Sequence, residues 1–202
     1  MGLWLAPQPL VLASGSAVRR TLLEAAGIAV EARPASLDER AIEAGAPSDD
    51  PAAVAALLAR AKALRVAADV PGRLVVGADQ TLALGRRRFD KPADRAAARA
   101  QLQALAGRTH ELHAAVAVVR GRDVLFEHGS VARLTMRPLT AAFLDRYLDA
   151  AGAAVTASVG AYQVEAIGIE LFERIDGDHF TVLGLPLLPL LAYLRAEGSL
   201  AA

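Results

Sequence analysis

The chain has 202 residues, 54% of them hydrophobic and 22% charged, enough to bury a sizeable core and too apolar for a disordered segment. Its formal net charge is zero, which argues against broad binding of nucleic acid or anionic membrane, so a strongly anionic ligand has to be met by a local basic cluster. Cysteine is absent, which excludes disulfides and thiolate metal sites, and no apolar run approaches the ~20 residues of a bilayer span.

In chain order, "LVLA" (10–13) reads as a short buried strand, and "AVRRTLLEAAG" (17–27) as a helix stopped at Gly27. Ser14, Gly15 and Ser16 are therefore a strand-to-helix turn. "IAVEARPA" (28–35) reads as a second strand and "SLDERAIEAGAPSDDP" (36–51) as a polar loop. Pro51 opens a long helix that carries Lys62, and "RLVVGAD" (73–79) is a third buried strand ending at Asp79. A small hairpin turning near Gly85 follows, then a helix closed by Gly107. Residues 111–138 alternate on both sides of "RGRD" and form a long hairpin. Thr140 caps the next helix, residues 158–184 are glycine-punctuated with strand pieces, and a helix with Pro186 near its start closes the chain. With no repeat or linker, residues 1–202 read as one α/β domain with a mixed sheet, its second half forming a smaller lobe.

Four features bear on chemistry. The turn at Ser14–Ser16 offers backbone N–H groups at the positive end of a helix, with two hydroxyls and Arg19 and Arg20 close by, which suits a phosphate. The same residues also read as an N-cap followed by a solvated arginine face. Asp79, at the carboxyl end of a buried strand, suits a hard cation or a proton taken from water, and equally an Asx-turn. Asp38 and Glu39 are the carboxylates available to complete a metal site with it. Of the 22 basic residues only Lys62 and Lys91 are lysines, compact point charges in a chain that otherwise uses arginine. The four histidines lack metal-site spacing and read as structural, "RRR" (86–88) as a charged hairpin flank and "DGD" (176–178) as a turn.

Taken together, "LASGSAVRR", "LDE", "ARAKA", "GADQT", "DKPADRAAARAQLQALAGRTH", "GAYQVEAIG" and "FTVLGLPLLPLL" occur in the order seen in the Maf family, which the chain resembles from Leu12 to about Leu194. The resemblance implies an elongated mixed sheet flanked by helices with a cleft between two lobes, as in inosine triphosphate pyrophosphatases. It implies hydrolysis between the α- and β-phosphates of a nucleoside triphosphate with Mg2+ or Mn2+, in a homodimer; the composition and charge set out above make a cytoplasmic protein that binds neither nucleic acid nor membrane the expectation. It places substrate contacts on Ser14, Ser16, Arg19, Arg20, Lys62, Gln80 and Glu165. Asp79, Glu39 and Lys91 would be the catalytic set, with Asp79 as proton acceptor and Asp79 and Glu39 as metal ligands. Two departures stand out: the family's "SPRR" reads "SAVRR", and Glu165 stands where the dTTP/UTP branch has glutamine, which is closer to the 7-methyl-GTP branch. The other role the resemblance suggests is a nucleotide-binding regulator of cell division with little turnover. Intact Asp79, Lys62 and Lys91 favour the enzyme, since a binder has no use for a placed base.

Overall fold

The computed structural model describes residues 2–202. Strand β1 (Leu10–Leu12) is wholly buried and leads through Ser14–Ser16 into helix α1 (Ala17–Ala25). Strand β2 is only Val30–Ala32, because its sole partner β1 offers three residues to pair with and Pro34 follows. The stretch expected as a loop contains a helix, α2 (Glu39–Ala44), which buries no side chain and so shows no apolar stripe in the sequence. Helix α3 (Pro51–Ala67) starts at its proline under an Asp50 cap and buries Val54, Leu58, Ala59, Lys62, Ala63 and Val66 on one face. Strand β3 (Leu74–Leu84) turns at Gly85 into β4 (Arg87–Phe89), as the hairpin pattern suggested. Helix α4 (Arg95–Leu105), strands β5 (Thr109–Arg120) and β6 (Asp123–Met136), and helix α5 (Ala141–Ala151) follow, with Thr140 capping α5. The glycine-punctuated segment holds 3-10 turns, strand β7 (Phe172–Asp176) and a single-turn helix α6 (His179–Val182), and α7 (Leu187–Ala196) ends the fold.

The sheet has seven strands in the order β2-β1-β3-β5-β6-β7, with β4 also paired to β3. Only β1–β2 and β1–β3 are parallel, so the sheet is mixed. Alternation along β3 divides its side chains. Val76 and Ala78 join Leu23, Leu190 and Leu194 under α1 and α7, whereas Val75 packs with Ala55, Ala59 and Ala63 of α3. A separate cluster, with Leu82, Phe89, Leu102, Leu112, Leu134, Leu148 and Tyr162, fills the other lobe. His110 belongs to this second lobe. Its Nε2 lies 2.7 Å from the Tyr162 hydroxyl, and burial pulls its pKa down to about 4, a neutral core histidine as the sequence suggested.

Gly77 sets how closely α3 lies on β3. A Cβ there would stand 2.2 Å from the Ala59 carbonyl oxygen and 2.8 Å from the Ala63 nitrogen, both backbone atoms that cannot yield alone. Gly77→Ala should therefore destabilise the fold at the upper end of the ~1–3 kcal/mol typical of overpacking. Because α3 carries Lys62, the same variant should also lower activity. Urea unfolding checks it, and a midpoint equal to that of the parent would contradict this packing.

Candidate active site

The site lies where the sheet parts. β1 pairs with β3 only at Val75 and Val76, whereas β4 pairs with it from Leu82 onward. Between them the β3 edge at residues 78–81 has no strand beside it. A cleft of about 790 Å³ opens there, walled by the Ser14–Arg19 turn, α2, the Arg88–Lys91 loop and the 157–165 segment. It falls at the carboxyl end of the parallel strand β1, where open α/β sheets bind ligands.

Asp79 is not the last residue of its strand, as expected from "RLVVGAD", but its middle: the apolar alternation resumes through "TLAL" and pairs with β4 and β5. On the α3 side of β3, Asp79 meets Lys62. The Lys62 Nζ donates to Asp79 Oδ1 at 2.6 Å and lies 2.9 Å from Glu39 Oε2. One ammonium thus holds two carboxylates brought from different elements. Thr81 Oγ1, next on that face, donates to the Pro51 carbonyl at 2.9 Å and fixes the start of α3. Burial pushes the Asp79 carboxyl above its ordinary range, against the pull of Lys62 and Arg19.

The Ser14–Ser16 turn serves both readings. Ser16 Oγ accepts from the Arg19 amide at 3.3 Å as N-cap, while Ser14 Oγ accepts from the Ser16 amide and from Arg19 Nη1, each at 3.2 Å. Arg19 crosses the cleft floor: Nε donates to the Gly184 carbonyl and Nη1 to the Ala78 carbonyl, both at 2.8 Å. Gly184 has a φ of +84°, which calls for glycine, and a Cβ there would also press on Arg19 Nη2 at 3.2 Å. Gln80 lines the cleft, and its Nε2 donates to the Thr181 and Val182 carbonyls at 2.9 and 3.1 Å, tying α6 to β3. Lys91 is an exposed cation on the cleft wall, and Glu165 stands exposed on its rim.

Two expected residues are elsewhere. Arg20, one residue on from Arg19, points about 100° away around α1 and pairs with Glu24 at the exposed surface at 2.7 Å. Asp38 is not a cleft carboxylate: it caps α2, accepting from the Ala41 amide at 3.0 Å. Gln101 escaped the sequence reading. It donates to the Asp90 carbonyl at 2.8 Å and accepts from the Gly160 amide at 3.1 Å, bracing the Lys91 loop against the opposite wall. Its place on the polar side of an amphipathic helix gave no signal.

Among the described residues, no group of three or more His, Asp or Glu side chains converges as a metal cage. Asp79 and Glu39 do converge on one cationic point, which Lys62 fills. Two hard oxygen donors of this kind suit a Mg2+ or Mn2+ that completes its shell with water and phosphate oxygens.

Comparison with known proteins gives the chain's relatives. A family model described as Maf-like protein matches residues 9–197. A nucleoside triphosphate pyrophosphatase of Rhodopseudomonas palustris (strain ATCC BAA-98 / CGA009) is 60% identical over all of both chains. A 7-methyl-GTP pyrophosphatase of Mesorhizobium japonicum is 52% identical over 96% of this chain and 98% of its own length. Among solved structures, a HAM1 protein from Coxiella burnetii is similar at a TM-score of 0.39, with 16% identity over 63% of this chain and 72% of that one.

Proposed function

The chain belongs to the Maf-like protein family, and on that premise we propose that it is a nucleoside triphosphate pyrophosphatase preferring a 7-methylated guanine base. The observation that carries the catalytic reading is the contact of the buried Lys62 side chain with both the buried Asp79 and the more exposed Glu39, at the floor of a cleft bordered by Arg19 and Lys91. A triphosphate brings about four negative charges, which cations must neutralise before water can approach phosphorus. Lys62, Lys91 and Arg19 supply them locally in a chain of zero net charge. The first amides of α1, which have no intrahelical acceptor, add donors at the same end.

Asp79 orients a water and takes its proton as the water oxygen attacks the α-phosphorus. The bond from that phosphorus to the bridging oxygen breaks, and the electron pair leaves with pyrophosphate. A base raised above the ordinary carboxylate range is better matched to that task near neutral pH. Glu39 and Asp79 would hold the divalent cation, which when bound neutralises phosphate charge. Lys62 keeps Asp79 aimed into the cleft.

Base preference rests on Glu165. Its carboxylate can accept from the N1–H and N2 amine of guanine, and the positive charge of a 7-methylated ring favours it further. The 52% identical relative bearing the 7-methyl-GTP name is consistent with this. Pyrophosphate release from 7-methyl-GTP, GTP, dTTP and UTP should be fastest per kcat/KM for 7-methyl-GTP, and Glu165→Gln should narrow the preference. A parent enzyme that prefers dTTP, or an equal drop on all four nucleotides, refutes base reading by Glu165. No pyrophosphate from any of them would instead favour a binding role in cell division.

A further inference from the structure

We propose that Arg88 is a further phosphate-binding cation of the cleft, matched to Lys62 by helix α2, whose Glu39 and Glu43 hold the two cations until a polyphosphate replaces them. The proposal rests on the pyrophosphatase reading above and extends it to a residue outside the set assigned so far.

Strand alternation selects Arg88 from the three consecutive arginines. Arg86 lies exposed in the hairpin turn, and the Arg87 guanidinium stacks 4.5 Å from the centre of the Phe89 ring. Arg88 points to the other face, lines the cleft, and donates from Nη1 to Glu43 Oε2 at 3.0 Å. Both side chains of that pair are only 26% exposed. Glu43 follows Glu39 by four residues, so the two carboxylates sit one above the other on α2, about 5–6 Å apart at Cβ. One holds Lys62 and the other Arg88. Side-chain anions one helical turn apart thus occupy two cations that a polyphosphate chain can share, each cation meeting a different phosphoryl group.

Helix α2 is suited to being displaced from this position. It has six residues and buries none of them, and two ion pairs, Glu39–Lys62 and Glu43–Arg88, tie it to the cleft. A triphosphate presents more negative charge to Lys62 and Arg88 than two carboxylates do, and exchange leaves Glu39 and Glu43 free to turn to water or metal. Glu43 then opposes binding while Arg88 supports it, and the two residues of one ion pair have opposite effects on affinity.

Isothermal titration of inorganic pyrophosphate into the full chain tests this without turnover. Arg88→Gln should weaken binding about tenfold or more, the worth of one charge-assisted hydrogen bond. Arg88→Lys should recover part of it. Glu43→Gln, which removes the competing carboxylate, should tighten binding. A merely structural ion pair predicts equal losses of thermal stability in Arg88→Gln and Glu43→Gln with no change in pyrophosphate affinity, and that result overturns the proposal. So do shifts of the same sign in both variants. If Arg88→Gln does not fold, an unchanged affinity in Glu43→Gln overturns it alone. Wild-type protein that neither binds nor releases pyrophosphate overturns the parent reading. Wild-type binding with unaltered variants overturns only the role of Arg88.

Discussion

Asp79→Asn should lower kcat by about 10²–10⁴-fold, the usual worth of a general base, while leaving KM for the triphosphate close to its starting value. The substitution suits the site because an amide oxygen still accepts from Lys62, which also keeps Glu39 as a partner at 2.9 Å, so the fold and the cation stay in place. Loss of turnover that excess Mg2+ or Mn2+ does not restore then reports on proton transfer rather than on the cation that Asp79 would hold. The pH profile of the parent enzyme gives an independent check. Burial raises the Asp79 pKa above that of an exposed carboxylate, so the base is protonated and activity falls at a higher pH than such a carboxylate would dictate. An acid limb at or below the ordinary value of about 4, or an asparagine variant keeping more than half of the parental kcat, rules out the assignment.

Lys62→Met should have the second large effect, on stability and binding together. The Lys62 side chain is 11% exposed, like the Asp79 side chain it contacts, and methionine retains the volume without the charge. Removing one partner of a buried pair costs about 3–5 kcal/mol. The lower end applies here, because Glu39 is 45% exposed and can turn to water, and Asp79 retains the attraction of Arg19. Loss of the cation should also raise the triphosphate KM about tenfold or more. Urea unfolding and steady-state kinetics on one preparation measure both. An unfolding free energy within about 1 kcal/mol of the parent, with unchanged KM, would mean that the lysine neither holds the carboxylates nor meets phosphate.

Much of the site could be read locally. The Ser14–Ser16 turn follows from an apolar run meeting a helical pattern, and its N-cap from serine at the right offset. Lys62 could be singled out because it is one of two lysines and falls between Ala59, Ala63 and Val66 on an apolar helix face, where an uncompensated charge is costly. The family motifs pointed to Asp79, Glu39 and Lys91, all three of which line the cleft. Other features were hidden: α2 by its lack of a buried face, and the length of β3 because "GADQ" interrupts its apolar alternation. Arg88 was hidden because in sequence it is one arginine among three.

The sequence by itself determined the order of the strands and of every long helix, the turns at Ser14–Ser16 and Gly85 and the cap at Thr140, because each depends on neighbours within one or two turns of chain. Only the tertiary structure decided which of Arg19 and Arg20 enters the cleft, since that depends on the Gly184 carbonyl, 165 residues away. It also decided that Glu39, Lys62 and Asp79 meet, which requires Gly77 to let α3 lie close on β3. The cleft itself exists because β1 turns away before β4 begins to pair, leaving an edge of β3 open. That gap belongs to three strands at once, and the periodicity of any one of them carries no trace of it.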